Sequence, residues 1–377
     1  MKKHKVLTII GTRPEAIKLA PVIMQLGHRS DWFVSKVCGT AQHRTMLDQV
    51  LKIFDINPDY DLDIMLHGQS LAQVTSRAIE GLDRVIKDIN PDLVLVQGDT
   101  TTAFCGALAA FYNKVRVGHV EAGLRTENKF APFPEEINRR LVSRLTDYHF
   151  VPTEYAKLSL MRENIASSSI FVTGNTVIDA LLWIRNRVRK NNPDLPVSLL
   201  ESLNGHVMVL VTGHRRESFG EGFENICTAI REVADTLPNA VFIYPVHLNP
   251  NVREPVNRIL GRHNQIHLIE PLSYTTFVWL MDRATVVLTD SGGVQEEAPS
   301  LGQPVLVMRE TTERPEGIEA GNARLVGVKK DNIVNALVDL LKHPEKREAM
   351  AKLNNPYGDG HAAERIINIL EKELGGN

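Results

Sequence analysis

The sequence predicts an α/β protein whose chain is divided between two domains, each built on a parallel sheet covered by helices. Three observations support this prediction. Short, continuously apolar runs alternate with longer amphipathic segments, a pattern typical of strands that are buried on both faces. The runs form two series, separated by a polar stretch with two prolines. The chain has 377 residues, which is more than one ordinary domain needs and suits two.

The apolar runs predict nine strands. The first series lies at residues 5–10, 93–97, 115–120 and 170–173, and the second at 207–212, 240–246, 266–270, 285–289 and 304–308. The segments between the runs predict the covering helices. We place the domain boundary near 174–205, which gives an N-terminal domain at 1–173 and a C-terminal domain at 174–360. A last helix at 361–377 could pack back on the N-terminal domain.

Composition and charge exclude several classes of function. The formal net charge is −2, which gives no general attraction to nucleic acid or to an anionic membrane. Cys38, Cys105 and Cys227 lie far apart, so neither a disulfide framework nor a cysteine zinc site is indicated. The N-terminal apolar run stops at Gly11, too early for a signal peptide, and no run approaches 18 apolar residues. We expect a cytoplasmic protein.

Charged and polar side chains follow many of the predicted strands. Ligands of open parallel sheets bind beyond the carboxyl ends of the strands, so these residues are candidates for a site. They are Arg13, Lys18, Asp99, Glu121, Arg125, His214, Arg215, Arg216, His247 and the segment DSGGVQEE that starts at Asp290. Loop chemistry alone does not explain so many charges at one edge, so we expect a ligand site there.

The segment Ser291, Gly292 and Gly293 is expected to form a strand-to-helix turn. Glycines let a ligand approach the backbone, and N–H groups at a helix N-terminus attract phosphate. A glutamate one turn into the helix could accept hydrogen bonds from ribose hydroxyls. A tight turn whose glutamates merely suit the helix N-terminus explains the same residues. The turn alone does not decide between these two interpretations.

Two glycine motifs do not indicate a nicotinamide cofactor. The segment GDGHAA at 358–363 fits the dinucleotide pattern, but no strand precedes it. The segment GEGFEN at 220–225 has only the first two glycines of that pattern. A P-loop is absent from the sequence as well.

The sequence resembles the bacterial non-hydrolysing UDP-N-acetylglucosamine 2-epimerases over nearly its whole length. Ten blocks carry the resemblance, in this order: GTRPEAIKLAP, AQHRTMLDQVL, VQGDTTT, GHVEAGLRT, PEEINRRL, TGNTVIDAL, VTGHRRESFG, YPVHLNPNVREPV, LTDSGGVQEEAPSLGQPVLVMRETTERPE and NPYGDGHAAERI. The resemblance implies the glycosyltransferase-B fold, in which two Rossmann-like domains face a cleft, and a homodimer. It also implies interconversion of UDP-N-acetylglucosamine and UDP-N-acetylmannosamine for surface polysaccharides, with no nicotinamide cofactor and no essential metal.

The resemblance implies a role for individual residues. Asp99, Glu121 and Glu135 match the acid/base carboxylates of the family, and His214 matches a contact to the diphosphate and the leaving oxygen. The implied substrate contacts are Arg13, Lys18, Arg314, the diphosphate cradle Ser291, Gly292 and Gly293, and Glu297 as the ribose clamp in preference to Glu296.

Most of these roles have a structural alternative in the sequence. Asp99 could form an Asx turn at a strand end, Lys18 could be a surface lysine, and His214 could be structural. Glu121 could pair with Arg125. The spacing of PEEINRR also permits two ion pairs on a solvated helix face, Glu135 with Arg139 and Glu136 with Arg140.

Some bacterial members of the family also bind UDP-N-acetylglucosamine beside the active site, as an activator. The residues that match this second site are Gln42, His43, Glu136, Arg215 and His247. Thr45 stands where some members carry a glutamine, so this position departs from the pattern of that site. A basic cleft edge without a separate effector is the alternative.

The chemistry of the implied reaction selects among mechanisms. Carbon 2 of the sugar has no adjacent carbonyl, so its proton is poorly acidic and direct deprotonation is disfavoured. Oxidation to a ketone needs a hydride acceptor, whose fingerprint the sequence lacks. Elimination of UDP across carbons 1 and 2, followed by re-addition, needs an acid/base group and cations beside the diphosphate. The candidate residues supply both.

Three other functions fit parts of the sequence. A retaining glycosyltransferase of the same fold would also need an acceptor, and a hydrolysing epimerase would release UDP stoichiometrically. A non-catalytic sensor of nucleotide sugars is the third, and the full set of three carboxylates with His214 argues against it.

Overall fold

The structure is a computed structural model that describes residues 3–40, 44–66, 68–190 and 193–376, without the side chains of 44–46. The chain divides into two compact units, residues 1–180 with 357–377 and residues 181–356. Each unit holds one sheet whose strands are all parallel. The predicted α/β class with two Rossmann-like domains is therefore confirmed.

The first unit is built on a seven-stranded sheet. Its strands are β1 (His4–Ile10), β2 (Phe33–Gly39), β3 (Tyr60–Asp61), β4 (Leu93–Gln97), β5 (Arg116–Val120), β6 (Tyr148–Val151) and β7 (Ile170–Val172). Their order across the sheet is β3-β2-β1-β4-β5-β6-β7. The helices are α1 (Arg13–His28), α2 (Arg44–Ile53), α3 (Leu71–Ile89), α4 (Thr101–Tyr112), α5 (Glu135–Leu145), α6 (Glu154–Arg162) and α7 (Thr176–Val188), the last of which runs past residue 180.

The second unit is built on a six-stranded sheet. Its strands are β8 (Val207–Thr212), β9 (Ala240–Pro245), β10 (Ile266–Ile269), β11 (Val286–Thr289), β12 (Val305–Val307) and β13 (Ala323–Leu325), in the order β10-β9-β8-β11-β12-β13. The helices are α8 (Val197–Ser202), α9 (Glu221–Thr236), α10 (Pro250–Leu260), α11 (Tyr274–Arg283), α12 (Gly292–Ser300), α13 (Pro315–Glu319), α14 (Lys330–Lys342) and α15 (Pro344–Ala351).

The last helix, α16 (Ala362–Gly375), belongs to the first unit. Arg29 at the end of α1 binds Glu371 of α16 at 3.0 Å. The Asp179 carboxylate accepts hydrogen bonds from the first two N–H groups of α16, those of Ala362 and Ala363, at 3.2 and 2.8 Å. These contacts satisfy donors that a helix start leaves open.

All nine predicted strands are present, and four further strands were not predicted. The central strand β4 shows why continuous apolarity predicts strands, because Leu93 to Val96 are all 0% exposed. In β2, Ser35 and Lys36 interrupt the apolar run, and in β6 His149 does so. Among the described residues, no helix is both long enough and apolar enough to span a membrane.

Candidate active site

The candidate residues of the first unit gather where the order of its strands reverses. β1 lies beside β4, and the chain leaves these two strands towards opposite edges of the sheet. Ligands of open parallel sheets bind at such a point, beyond the carboxyl ends of the strands. Arg13 begins α1 after β1, and Asp99 stands in the turn after β4. Both lie at the edge where the sequence predicts a site.

Asp99 is held by side chains of α5. Nη2 of Arg139 lies 2.5 Å from Oδ2 of Asp99, and the side-chain amide of Asn138 donates to the Asp99 carbonyl at 2.9 Å. In the part of the chain that the structure describes, the Asp99 carboxylate accepts no backbone hydrogen bond, so the Asx-turn alternative is wrong. The carboxylate is paired with a cation but keeps 29% of the side chain exposed.

Glu121 follows β5 in a buried and strained position. Its φ is 62°, in the left-handed region that residues other than glycine rarely adopt. Its side chain is 5% exposed. Oε1 accepts hydrogen bonds from Lys18 at 2.5 Å and from Asn175 at 3.0 Å, and Oε2 accepts from the Gln97 amide. Three donors, one of them cationic, therefore fix this carboxylate.

Two structural alternatives for this region are wrong. Arg125 does not pair with Glu121, because its Nε and Nη2 bind the Glu163 carboxylate at 2.7 and 3.0 Å. Lys18 is not a surface lysine, since its side chain is 16% exposed and pairs with Glu121. Lys18 and Glu121 instead form a buried ion pair at the carboxyl edge of the sheet.

The adjacent glutamates that begin α5 have different surroundings. Oε2 of Glu135 is buried and has no hydrogen-bond partner among the described residues. Glu136 is 0% exposed and accepts from Nε of Arg140 at 2.9 Å and from the N–H of Thr126 at 3.1 Å. The ion pair predicted between Glu136 and Arg140 is confirmed, although Glu136 is buried rather than on a solvated face.

The structural alternative for Glu135, an ion pair with Arg139, is wrong. Arg139 binds Asp99, and its Nη1 lies 3.3 Å from Oε2 of Glu136. The guanidinium of Arg139 is therefore engaged by two other carboxylates, and Glu135 keeps an oxygen without a partner in the described chain.

In the second unit the strand order reverses between β8 and β11, and Asp290 joins the loops that follow these strands. Asp290 is 0% exposed, and its Oδ2 accepts from the N–H groups of His214 and Arg215 at 2.7 and 2.8 Å. Its Oδ1 lies 3.3 Å from Nδ1 of His214, but the two atoms are not aligned as a hydrogen bond. Asp290 thereby fixes the backbone of the loop that carries His214.

The His214 imidazole is accessible and is favoured in its neutral form. Its side chain is 42% exposed, and its ring stacks on that of His247, with centroids 5.6 Å apart and planes 20° apart. Burial of part of the ring lowers the pKa of His214, and His247 and Arg215 lower it further, while Asp290 acts in the opposite direction.

Ser291, Gly292 and Gly293 form the predicted turn into a helix. Ser291 is the N-cap of α12, Gly292 and Gly293 are its first two residues, and the Ser291 side chain makes no capping bond. A Cβ atom on Gly292 would lie 2.5 Å from Nη1 of Arg314, so any larger residue there would displace the Arg314 guanidinium. The first N–H groups of a helix have no partner within it, which leaves this N-terminus able to bind an anion.

The two neighbouring glutamates of α12 contact different partners. Oε1 of Glu296 accepts from Nε of Arg314 at 2.5 Å. Oε1 of Glu297 accepts from the Tyr274 hydroxyl at 2.6 Å, and Glu297 is 6% exposed. Glu296 thus orients the guanidinium that lies over Gly292.

Glu313 adds a second carboxylate beside Arg314. Its Oε1 accepts from Nη1 of Arg314 at 2.8 Å, and its Oε2 accepts from Arg309 at 2.5 Å. Burial opposes ionisation of Glu313, but Arg314, Arg309 and Arg215 outweigh it and lower the pKa of Glu313 to about 2. The loop that carries Arg314 is therefore a charged network that is fixed on several sides.

The residues of the implied activator site are only partly described. Gln42 and His43 lie outside the described residues, as does the side chain of Thr45. Nη2 of Arg215 lies 3.4 Å from Glu313, and the exposed His247 accepts from the N–H of Asn249 at 3.1 Å. These two belong to the second unit and Glu136 to the first.

Sequence reasoning gave no site role to four residues that support the candidate site: Glu15, Gln97, Arg139 and Asn175. Each stands inside one of the ten sequence blocks. Gln97 offers a further signal, because it is a polar residue within an apolar run and is 3% exposed. Glu15, Arg139 and Asn175 each have one partner at least 40 residues away, namely Thr100, Asp99 and Glu121, and local spacing could not reveal these contacts.

Comparison with known proteins agrees with the resemblance. Residues 26–371 match the sequence profile of the family described as UDP-N-acetylglucosamine 2-epimerase. The chain is 56% identical over 370 residues to the UDP-N-acetylglucosamine 2-epimerase of Escherichia coli K12, covering 97% of this chain and 98% of that one.

Solved structures agree as well. UDP-GlcNAc 2-epimerase from Neisseria meningitidis, solved with UDP-GlcNAc bound, has a TM-score of 0.88 and 50% identity over 98% of this chain and 100% of its own. Staphylococcus aureus MnaA, solved with UDP, has a TM-score of 0.87 and 46% identity over 99% of this chain and 97% of its own. The chain therefore belongs to the UDP-N-acetylglucosamine 2-epimerase family.

Proposed function

We propose that this protein interconverts UDP-N-acetylglucosamine and UDP-N-acetylmannosamine by eliminating UDP and the carbon 2 proton, which leaves a double bond between carbons 1 and 2. UDP is then added back to carbon 1 while a proton is returned to the opposite face of carbon 2. Membership of the family supports the substrate, since the Neisseria meningitidis relative was solved with UDP-GlcNAc. The observation that carries the mechanism is the contrast among the three carboxylates of the first unit. Two are paired with cations, and the third has a buried oxygen without a partner in the described chain.

This contrast supports different roles for the carboxylates. Arg139 forms an ion pair with Asp99, and Lys18 forms one with Glu121, so both of these carboxylates already have a cationic partner. Oε2 of Glu135 accepts no hydrogen bond from a described residue, so this oxygen can give or take a proton without breaking one. We assign proton transfer at carbon 2 to Glu135, with Asp99 as its acid/base counterpart. Glu121 with Lys18, together with Arg13, orients the sugar and the diphosphate.

The second unit supplies the groups for UDP. The N–H groups of Gly292 and Gly293 would bind the diphosphate, with Arg314 beside them. Ser291 would contribute its side chain, which makes no capping bond, because its N–H already donates to the Thr289 hydroxyl at 2.9 Å. Glu297 would accept hydrogen bonds from the ribose hydroxyls. His214, which is partly exposed, would contact the departing oxygen. In these assignments, groups of the second unit stabilise the negative charge of the leaving group, and carboxylates of the first unit transfer the proton.

The setting of the reaction is also a proposal. Like the family it resembles, the protein would act as a cytoplasmic homodimer that supplies surface polysaccharide synthesis. UDP-N-acetylglucosamine would act as an activator through Gln42, His43, Glu136, Arg215 and His247. Because Oε1 and Oε2 of Glu136 already bind Arg140 and Thr126, we expect Glu136 to support the activator site mainly by holding its loop.

One assay tests the function against its rivals. The purified protein is incubated with UDP-N-acetylglucosamine alone, and the products are followed by proton NMR. Appearance of UDP-N-acetylmannosamine up to a stable ratio supports the proposal. Release of free UDP in stoichiometric amounts would indicate a hydrolysing epimerase. Turnover that occurs only with an added acceptor would indicate a glycosyltransferase, and binding of the nucleotide sugar without turnover would indicate a sensor.

A further inference from the structure

Glu15 is a buried carboxylate to which the proposed mechanism assigns no role. It is 1% exposed, in the first turn of α1. Its Oε2 accepts from the N–H of Gly11 at 3.1 Å, and its Oε1 accepts from the Thr100 hydroxyl at 2.7 Å. The two donors belong to the loops after β1 and β4, the neighbouring strands between which the order of the first sheet reverses.

Both loops carry residues of the candidate site. Arg13 lies two residues from Gly11, and Asp99 is the neighbour of Thr100. The Thr100 hydroxyl also caps α4 by accepting from the N–H of Ala103 at 3.0 Å. The Glu15 carboxylate therefore joins the start of α1 to the start of α4 through a hydroxyl that has both a donor and an acceptor role.

The loops are also packed closely beside Glu15. A Cβ atom on Gly11 would collide with the hydroxyl of Thr102, which in turn lies 3.0 Å from the Thr40 hydroxyl. Neither loop can therefore shift far without disturbing the other. Burial of a carboxylate costs free energy unless hydrogen bonds compensate it, so a carboxylate in this place needs an explanation beyond packing.

We propose that Glu15 is a positioning residue, which holds the Arg13 loop and the Asp99 turn in one arrangement by accepting hydrogen bonds from both. This inference rests on the proposed function, because it concerns the placement of two of its residues. Displacement of catalytic groups by about 1 Å can cost about 10²-fold in rate, so loss of this link would reduce turnover without removing any group that touches the substrate.

The variants that test the proposal leave the charged residues near Glu15 in the sequence and in the facing turn unchanged. Arg13 and Lys18 share α1 with Glu15, and Asp99 precedes Thr100 in the turn that Glu15 binds. Lys18 binds Glu121, Asp99 binds Arg139, and no described residue forms an ion pair with Arg13. Burial raises the pKa of Glu15 to about 7, against the opposing effect of its hydrogen bonds. The carboxyl group therefore changes its charge within the range where kinetics are measured.

The kinetic test compares Glu15→Gln, Thr100→Val and Thr100→Ser with the wild type. Glu15→Gln and Thr100→Val should each lower kcat by about 10–100-fold with a smaller change in KM, and the double variant should be no worse than either. Thr100→Ser, which keeps the hydroxyl, should have a kcat close to that of the wild type. Because Gln resembles the protonated carboxyl group, the ratio of wild-type to Glu15→Gln kcat should rise with pH through about 7. Asp147→Asn is the control, since it removes a carboxylate that accepts the Val117 N–H at the start of β5.

A second readout does not require turnover. Amide hydrogen exchange at Gly11 should accelerate in Thr100→Val and remain slow in Thr100→Ser, because the link through Glu15 is lost only in the former. If the wild type does not epimerise UDP-N-acetylglucosamine, the proposed function fails and hydrogen exchange alone decides this inference. A kcat ratio that is constant from pH 5.5 to 9, or unchanged exchange at Gly11 in Thr100→Val, would overturn it.

Discussion

Nζ of Lys18 lies 2.5 Å from Oε1 of Glu121, and this ion pair links α1 to the turn after β5. Both side chains are largely buried, with exposed fractions of 16% and 5%. Glu121 also adopts a positive φ, so its place is set by side-chain bonds against a backbone preference. Strain of this kind persists where the surroundings hold it and is common at active sites.

Replacement of Lys18 by Met should lower the free energy of unfolding by about 3 kcal/mol, because the carboxylate of Glu121 stays buried without its cation. The matched control is Lys87→Met, which breaks the exposed i,i+4 pair with Asp83 at 2.8 Å and should cost less than about 1 kcal/mol. Urea unfolding of both variants measures the difference. Equal losses would mean that the Lys18 pair contributes no more than a surface pair.

Glu135→Gln should reduce turnover by roughly 10²–10⁴-fold, which is the usual contribution of a general acid or base. Stability should not change, since Oε2 of Glu135 has no described partner to lose. The neighbouring Glu136→Gln should lower stability, because its bonds to Arg140 and Thr126 are weakened. Kinetics and thermal unfolding of the two variants are compared. Near-normal turnover of Glu135→Gln would remove Glu135 from the chemistry.

The sequence was sufficient for the fold because strands buried on both faces are apolar throughout, as in β4. It was insufficient for β2, because Ser35 and Lys36 interrupt the apolar run of that strand. The structure shows that Val34 to Lys36 are only partly buried, so polar side chains are tolerated there. The sequence also placed the candidate residues at strand ends. It could not choose their partners, because Arg139 reaches Asp99 on another element instead of following its helical spacing to Glu135.

Glu297→Ala should weaken UDP binding by about 1.5–3 kcal/mol, because a charged acceptor for the ribose hydroxyls is lost. Tyr274→Phe leaves the carboxylate of Glu297 in place but removes the hydroxyl that lies 2.6 Å from it. This variant should therefore lose about 1 kcal/mol of UDP binding free energy. Titration calorimetry with UDP measures both. Unchanged affinity in a folded Glu297→Ala protein would exclude Glu297 from the site.

The free energy of unfolding should depend on pH through Glu15. Its pKa is raised from 4.5 to about 7 in the folded protein, so the folded state holds the proton more tightly than the unfolded state. The stability that Glu15 contributes is therefore fully present below pH 4.5 and is lost as pH rises through about 7. Relative to Glu15→Gln, the wild type should lose about 3 kcal/mol over this range.

Chemical denaturation of both proteins between pH 4.5 and 8 measures this difference. His119 also titrates on unfolding, since burial lowers its pKa to about 3 and its contribution is lost as pH falls. Its effect is common to both proteins and cancels. A difference that does not vary with pH would show that Glu15 is not buried as a titrating carboxyl group.

Elimination of UDP predicts where isotopes will go during epimerisation. In D₂O the product should carry deuterium at carbon 2, because the proton removed there exchanges with solvent. A ketone at carbon 3 would also acidify carbon 2, so deuterium alone does not distinguish the two routes. An oxygen isotope in the bridge between carbon 1 and the diphosphate does distinguish them, because only elimination breaks that bond. The label should scramble into non-bridging positions, which ³¹P NMR resolves. Epimerised product that keeps all of its bridging label, from protein free of bound nicotinamide, would count against elimination and would leave Glu135 without its proposed role.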